Sequence, residues 1–114
     1  MLPLKNRLKK KKDFQRVFKE GEPFKEDFLF LKRSENNLNK TRLGFIVSLK
    51  VSKKAFIRNK VKRRLREAVK EKIENLKKGY DIVIIVQREA KEKEFKEIEG
   101  CLEKLFKKAN ILND

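Results

Sequence analysis

An amphipathic segment between two apolar runs constrains the fold of this chain most strongly. Between residues 58 and 77, apolar side chains recur at intervals of three and four residues, which predicts one long helix. These side chains are Val61, Leu65, Ala68, Val69, Ile73 and Leu76. Alternating apolar residues at 43–49 precede the helix, and the apolar run 80–86 follows Gly79, where the helix is expected to end. The three segments predict a strand-helix-strand unit within one sheet.

The segments on either side add further elements. "KKDFQRVFKEG" predicts a short helix that is capped by Asp13 and closed by Gly21. "FKEDFLFLKR" predicts one strand with two apolar faces, and the polar loop 34–41 is expected to join it to the strand at 43–49 as a hairpin. A last helix is predicted from the stripe Phe95, Ile98, Cys101, Leu102, Leu105 and Phe106.

Together these elements predict the α+β class. We expect a two-layer α/β sandwich, in which helices pack on a small mixed sheet in the order αββαβα. The chain has 114 residues, which fits a single domain over 1–114. Nine phenylalanines and several apolar runs supply enough surface for one buried core.

The positive charge is concentrated in the middle of the chain. The net charge is +16, and residues 36–66 contain eleven basic and no acidic side chains, whereas residues 67–114 contain eleven of each. Mixed charges serve solubility better than a stretch of one sign. A segment of 31 residues without an acid therefore predicts a polyanionic partner.

Several kinds of chemistry are excluded by the composition. Cys101 is the only cysteine and there is no histidine, so disulfide frameworks, Cys/His zinc sites and histidine acid-base catalysis are absent. Cys101 lies at helical spacing between Ile98 and Leu105, which predicts a buried thiol and not a nucleophile. We predict no catalytic and no metal-binding residue in this chain.

No part of the sequence predicts a membrane segment. No apolar run approaches the ~20 residues that a bilayer span needs, and the start "MLPLKNRLKKKK" lacks the apolar core of a signal peptide. We therefore expect a soluble cytoplasmic protein without a membrane partner.

The predicted central helix carries its cations on one flank, formed by Asn59, Lys62, Arg63, Arg66 and Lys70. If Arg63 and Lys70 paired with the acids four residues later, this flank would be an ordinary solvated surface. It continues, however, into the acid-free loop before the helix, so we expect unpaired cations there, with arginines suited to phosphate. Asn59 is expected either to cap the helix or to contact a phosphate or sugar hydroxyl.

The segment from Arg58 to Glu67, "RNKVKRRLRE", resembles the RNR motif of the bacterial ribonuclease P protein family. The resemblance extends over nearly the whole chain, through "RLKKKKDFQRVFKEG", "RLGFIVS" and "GYDIVIIVQR". Lys60 stands where the motif has an arginine, which keeps the charge and loses the guanidinium fork. Arg64 stands where relatives often have an aliphatic residue.

This resemblance implies a subunit of ribonuclease P, the ribonucleoprotein endoribonuclease that matures the 5′ ends of tRNAs. The partners implied are the catalytic RNA, which hydrolyses the phosphodiester with Mg²⁺ that it chiefly binds itself, and precursor tRNA. The protein is not expected to be catalytic alone. The resemblance also implies a left-handed strand-helix-strand crossover, although such crossovers are right-handed in roughly 98% of cases.

Two groups of site residues follow from the resemblance. The RNA-binding helix is expected to use Arg58, Asn59, Lys60, Lys62, Arg63 and Arg66. A cleft for the single-stranded 5′ leader is expected to be lined by Phe14, Phe18, Leu29 and Leu31. Bases that stack on exposed aromatic rings gain ~1–3 kcal/mol each with little sequence preference. The alternative for Phe14 and Phe18 is a place in the core, since two phenylalanines at this spacing are usually buried.

Two other functions remain open from the residues alone. One is a ribosomal or general RNA-binding protein, whose basic helix serves ribosomal RNA assembly. The other is a stand-alone RNA-processing enzyme that uses carboxylates and Mg²⁺. Ribosomal co-sedimentation would indicate the first, and cleavage without added RNA would indicate the second.

Overall fold

The computed structural model describes residues 2–113. Its helices and strands are, in chain order, α1 (Lys11–Glu20), β1 (Glu22–Glu26), β2 (Leu29–Glu35), β3 (Arg42–Ile46), α2 (Ala55–Lys70), β4 (Tyr80–Val86) and α3 (Phe95–Lys108). Short 3-10 turns lie at Leu4–Asn6, Ile73–Asn75 and Arg88–Glu92.

The four strands form one mixed sheet in the order β1-β2-β4-β3. β1 pairs with β2 and β2 with β4 in antiparallel fashion, whereas β3 and β4 are parallel. The α+β class with a small mixed sheet is therefore confirmed. The parallel pair joined through α2 also confirms the strand-helix-strand unit, while its left-handed sense stays a prediction.

The prediction of one strand across residues 24–33 is wrong. The chain turns at Asp27 and Phe28, so that β1 and β2 form a hairpin and the order becomes αβββαβα. Asp27 has a φ of 50°, in the left-handed region that turn residues adopt. The predicted hairpin between β2 and β3 is also wrong, because β4 lies between them. β4 is apolar on both faces and therefore belongs at the centre of the sheet.

The central helix is shifted from its predicted bounds. α2 begins at Ala55 and ends at Lys70, and a 3-10 turn at Ile73–Asn75 carries the apolar pattern onward. Leu76 is still buried, because this turn keeps its side chain against the core. Gly79 does not end the helix; its φ of 95° allows the turn that leads into β4.

Two further bounds differ in smaller ways. α1 begins at Lys11, so Asp13 lies in its first turn and is not the cap, whereas Gly21 follows the last helical residue as predicted. β3 ends at Ile46, and Leu49, which was predicted to continue its apolar face, is exposed.

The core occupies both faces of the sheet. α2 and α3 cover one face, where the larger cluster includes Leu29, Leu31, Ile82, Ile84, Leu65 and Leu102. α1 covers part of the other face, where Leu8, Val17 and Val83 form a smaller cluster. The expected two-layer packing therefore describes α2 and α3 on the sheet, while α1 adds a partial third layer on the other face, which explains why β4 is apolar throughout.

Cys101 is buried in α3, as predicted. Its Sγ lies 3.1 Å from the carbonyl oxygen of Glu26. Burial raises the pKa of the Cys101 thiol to about 11, so the thiol stays protonated and unreactive. Among the described residues, no helix is both long enough and apolar enough to cross a membrane.

Candidate nucleic-acid interface

A buried carboxylate on β4 holds α1 against the sheet. Asp81 is completely buried and accepts hydrogen bonds from Arg42 Nε at 2.8 Å and Arg42 Nη2 at 2.7 Å. Asn36 Nδ2 donates to the same carboxylate at 2.9 Å, and Arg16 of α1 forms an ion pair with it. Arg42 Nη1 also lies 3.7 Å from Asp13 Oδ2 of α1. α1 is thus attached to the sheet by charged contacts as well as by apolar ones.

Asp81 is ionised at neutral pH in spite of its burial. Burial opposes the charge, but hydrogen bonds from Arg42 and Asn36, with the charges of Arg42 and Arg16, outweigh it and lower the pKa of Asp81. The hydrogen bond to Asp81 is also the main reason that the pKa of Arg42 is raised. Both partners therefore keep their charges.

Gly44 of β3 lets α1 approach the sheet closely. A Cβ atom at Gly44 would lie only 2.3 Å from Phe14 Cζ and 3.3 Å from Leu8 Cβ. Phe14 therefore fills the space that a side chain on β3 would otherwise occupy. Its ring is half-buried, so Phe14 serves in packing and still presents part of its surface.

Phe18 is the more accessible aromatic side chain of α1. It is 36% exposed, whereas the adjacent Val17 is completely buried and anchors the helix. Lys32 of β2 places its ammonium group 5.9 Å from the centre of the Phe18 ring and donates to the Phe18 carbonyl oxygen at 2.8 Å. An exposed ring beside a cation can receive a stacked base and its phosphate.

The sheet adds partly exposed residues on the same face as α1. Phe30, Ile85 and Ile46 are aligned across β2, β4 and β3, and Ile46 and Ile85 pack against the cluster that contains Val17 of α1. We define the α1 surface as Phe14, Phe18, Phe30, Lys32, Ile46 and Ile85.

Leu29 and Leu31 do not border the α1 surface. Both have zero exposure and lie in the core on the opposite face, against α2 and α3. Side chains alternate along a strand, so an assignment off by one residue exchanges the two faces. Phe30 and Lys32 occupy the positions expected of the two leucines. The charge of Lys32 is the sequence signal that identifies the less buried face.

Two arginines of α2 bind backbone atoms within the protein. Arg58 donates to the carbonyl oxygens of Ser52 and Lys53, both at 3.0 Å, and so holds the loop before the helix. Arg64 donates to the carbonyl oxygen of Lys93 at 2.8 Å, near the start of α3. Arg58 therefore holds the loop before α2 in place and also contributes positive charge.

The other site residues of α2 project without internal partners. Within residues 2–113, no hydrogen bond or ion pair involves the side chains of Asn59, Lys60, Lys62, Arg63 or Arg66. Asn59 does not cap the helix, because α2 begins at Ala55 and Asn59 is exposed. This portion of the helix therefore presents several unpaired cations.

These cations lie on different sides of α2. Lys60, Arg63 and Arg64 surround a cavity of about 420 Å³ together with Glu67 and Phe95 at the start of α3. Lys62 and Arg66 lie roughly 100° and 140° around the helix from the buried Val61, and therefore away from this cavity. α3 packs on β1 and β2, at the other end of the strand order from β3. The side of α2 that carries Lys62 and Arg66 faces away from α3 and therefore lies at the β3 edge of the sheet.

The fold and the unpaired cations define a small, basic α+β protein suited to a polyanionic partner. The family model Ribonuclease P matches residues 2–110, and the chain belongs to the ribonuclease P protein family. Membership makes it the protein component of a ribonucleoprotein endoribonuclease that processes tRNA.

Individual relatives agree along nearly the full length. The chain is similar to the ribonuclease P protein component of Clostridium botulinum strain Langeland, with 40% identity over 109 residues, 95% of this chain and 97% of the relative. The structure of the Staphylococcus aureus protein matches with a TM-score of 0.87 and 33% identity, covering 95% of this chain and 98% of that one. The structure of the Thermotoga maritima protein matches with a TM-score of 0.81 and 32% identity, covering 90% of this chain and 96% of that one.

Proposed function

We propose that this chain binds both the catalytic RNA of ribonuclease P and the 5′ leader of precursor tRNA. The observation that carries the proposal is the group of α2 cations without internal partners, namely Lys60, Lys62, Arg63 and Arg66. Cations that make no contact within the protein are free to neutralise phosphates, and that neutralisation supplies much of the affinity for nucleic acid.

The α1 surface is the proposed site of the leader. The exposed Phe18 ring offers a stacking platform, and Lys32 beside it offers a charge for a phosphate. Stacking on aromatic rings tolerates any base, which suits leaders of varied sequence. Lys62 and Arg66 extend this site from the β3 edge, where the leader would leave the sheet.

The catalytic RNA is assigned to the outer side of α2. Lys60 and Arg63 are both exposed there, and Asn59 adds a neutral donor and acceptor for a phosphate or sugar hydroxyl. The sheet lies between this side of α2 and the α1 surface. The protein would therefore hold two RNA segments on different faces.

Mg²⁺ is assigned chiefly to the RNA partner. Among residues 2–113, no group of three or more histidine, cysteine, aspartate or glutamate side chains is placed to hold a metal ion. The ion would supply Lewis-acid assistance to hydrolysis, while this chain binds and orients the precursor in the cytoplasm. Its cations would also reduce the repulsion between the two RNAs.

Reconstitution with the RNA subunit of the same organism tests the proposal. We expect the mixture to cleave precursor tRNA at the mature 5′ end at a Mg²⁺ concentration at which the RNA alone is slow. The protein alone should leave the precursor intact. Lys62→Ala/Arg66→Ala should reduce this stimulation, whereas the control Lys96→Ala/Lys104→Ala removes two exposed charges from α3 and should not.

Three results would count against this function. Failure of the wild-type chain to stimulate the RNA subunit would contradict it directly. Cleavage by the protein alone would indicate a stand-alone nuclease. Co-sedimentation with ribosomal subunits, without binding to the ribonuclease P RNA, would indicate a ribosomal protein.

A further inference from the structure

Phe56 is the most exposed large apolar side chain among residues 2–113. It lies in the first turn of α2, and 68% of its surface is accessible. A phenylalanine in this position forgoes the ~1.5–3 kcal/mol that burial of such a side chain would contribute. The Lys54 ammonium group lies 6.0 Å from the centre of the Phe56 ring.

The helix directs Phe56 away from the core. Phe56 precedes the buried Leu65 by nine residues, which is about 2.5 turns, so the two side chains point in opposite directions. Lys60 and Arg63 follow Phe56 at intervals of four and seven residues and therefore share its side of the helix. An exposed ring thus begins a row of cations along the outer side of α2.

The charges around Phe56 favour an anionic partner with a flat apolar surface. The first turn of α2 contains no acidic residue, and none occurs in residues 36–66. A nucleotide combines an aromatic base with a phosphate, which matches a ring between Lys54 and Lys60.

We propose that Phe56 stacks on an unpaired base of the catalytic RNA, while Lys54 and Lys60 contact phosphates of the same strand. This inference rests on the proposed function, which assigns the outer side of α2 to the catalytic RNA. The leader is not the occupant, because the core and the sheet separate Phe56 from the α1 surface.

A fluorescent substitution gives a direct test. The chain has no tryptophan and one tyrosine, so Phe56→Trp introduces a single indole at this position. Titration with the catalytic RNA should quench its emission and should preserve the wild-type affinity. Phe56→Ala and Phe56→Leu should both weaken binding by about 5- to 150-fold, because neither offers an aromatic face. The salt dependence should be unchanged, since the ring contacts no phosphate.

Leu38→Ala is the matched control. Leu38 is 42% exposed in the loop between β2 and β3, and its truncation should leave RNA affinity unchanged. Equal affinities of wild type and Phe56→Ala, or unchanged Phe56→Trp emission at saturation, would overturn the inference. Loss of leader binding alone in Phe56→Ala would overturn it as well. If the wild-type chain itself fails to bind the catalytic RNA, the proposed function fails first.

Discussion

Arg42 and Asp81 face each other across the parallel pair β3 and β4, joined by two hydrogen bonds of 2.8 and 2.7 Å. Arg16 of α1 reaches the same carboxylate. One buried acid therefore links two strands and the helix that carries Phe14 and Phe18. The position of the α1 surface depends on this contact.

Asp81→Asn should lower the free energy of unfolding by ~3 kcal/mol. Removing one partner of a buried ion pair costs ~3–5 kcal/mol, and the low end applies because Arg16 and Arg42 retain some contact with solvent. Denaturant unfolding measures the change. Glu22→Gln, which removes the exposed pair with Arg33, is the control and should cost less than ~1 kcal/mol. Similar values for both variants would contradict the role given to Asp81.

The stabilisation from Asp81 should disappear in acid. Its pKa lies below the ordinary value of 3.8 in the folded chain, so its contribution is complete above that value and is lost as pH falls through the lower folded pKa. The difference in unfolding free energy between wild type and Asp81→Asn should stay constant from about pH 7 to 5 and shrink below about pH 4. A difference that grows in acid would mean that folding raises the pKa of Asp81, and it would contradict this prediction.

Local periodicity predicted α2 and α3 from their long apolar stripes and α1 from a shorter one, while β4 was predicted from its continuous apolar run. It did not separate β1 from β2, since the turn at Asp27 and Phe28 lacks glycine and β1, with the sequence EPFKE, is too short and too polar to show a periodicity of its own. It also could not show that β3 pairs with β4 and not with β2, because that pairing is set by distant parts of the chain.

Only part of the candidate site could be predicted from the sequence. The acid-free segment identified the cations of α2, and the lack of internal partners of Lys60, Lys62, Arg63 and Arg66 agrees with that interpretation, whereas Arg58 and Arg64 bind backbone atoms of the protein. The network around Asp81 was missed. Its signal was a lone acid inside the apolar run "YDIVIIV", because a buried carboxylate requires a cation from another element. Which arginines would supply it depends on tertiary structure.

Phe18 and Phe14 should respond differently to truncation. Phe18→Ala should weaken binding of precursor tRNA by ~1–3 kcal/mol without changing affinity for mature tRNA, because only the precursor carries a leader. Its melting temperature should change little, since the side chain is 36% exposed. Phe14→Ala should instead lower the free energy of unfolding by ~2–3 kcal/mol, less than for a fully buried ring, because Phe14 packs against Gly44.

Binding to precursor and mature tRNA, with thermal unfolding of both variants, separates these effects. Equal weakening toward the two RNAs would remove Phe18 from the leader site. A collapse of stability in Phe18→Ala would place its ring in the core.

The two sides of α2 should also show distinct salt dependences. Lys62→Ala/Arg66→Ala should flatten the salt dependence of precursor binding, with a change in slope of about 0.7 for each phosphate of the single strand that these cations neutralise. Lys60→Ala/Arg63→Ala should leave that slope intact and weaken binding of the catalytic RNA. Neither variant should unfold, because these four side chains make no hydrogen bond or ion pair within residues 2–113. The reverse assignment of the two effects would show that the leader crosses the outer side of α2.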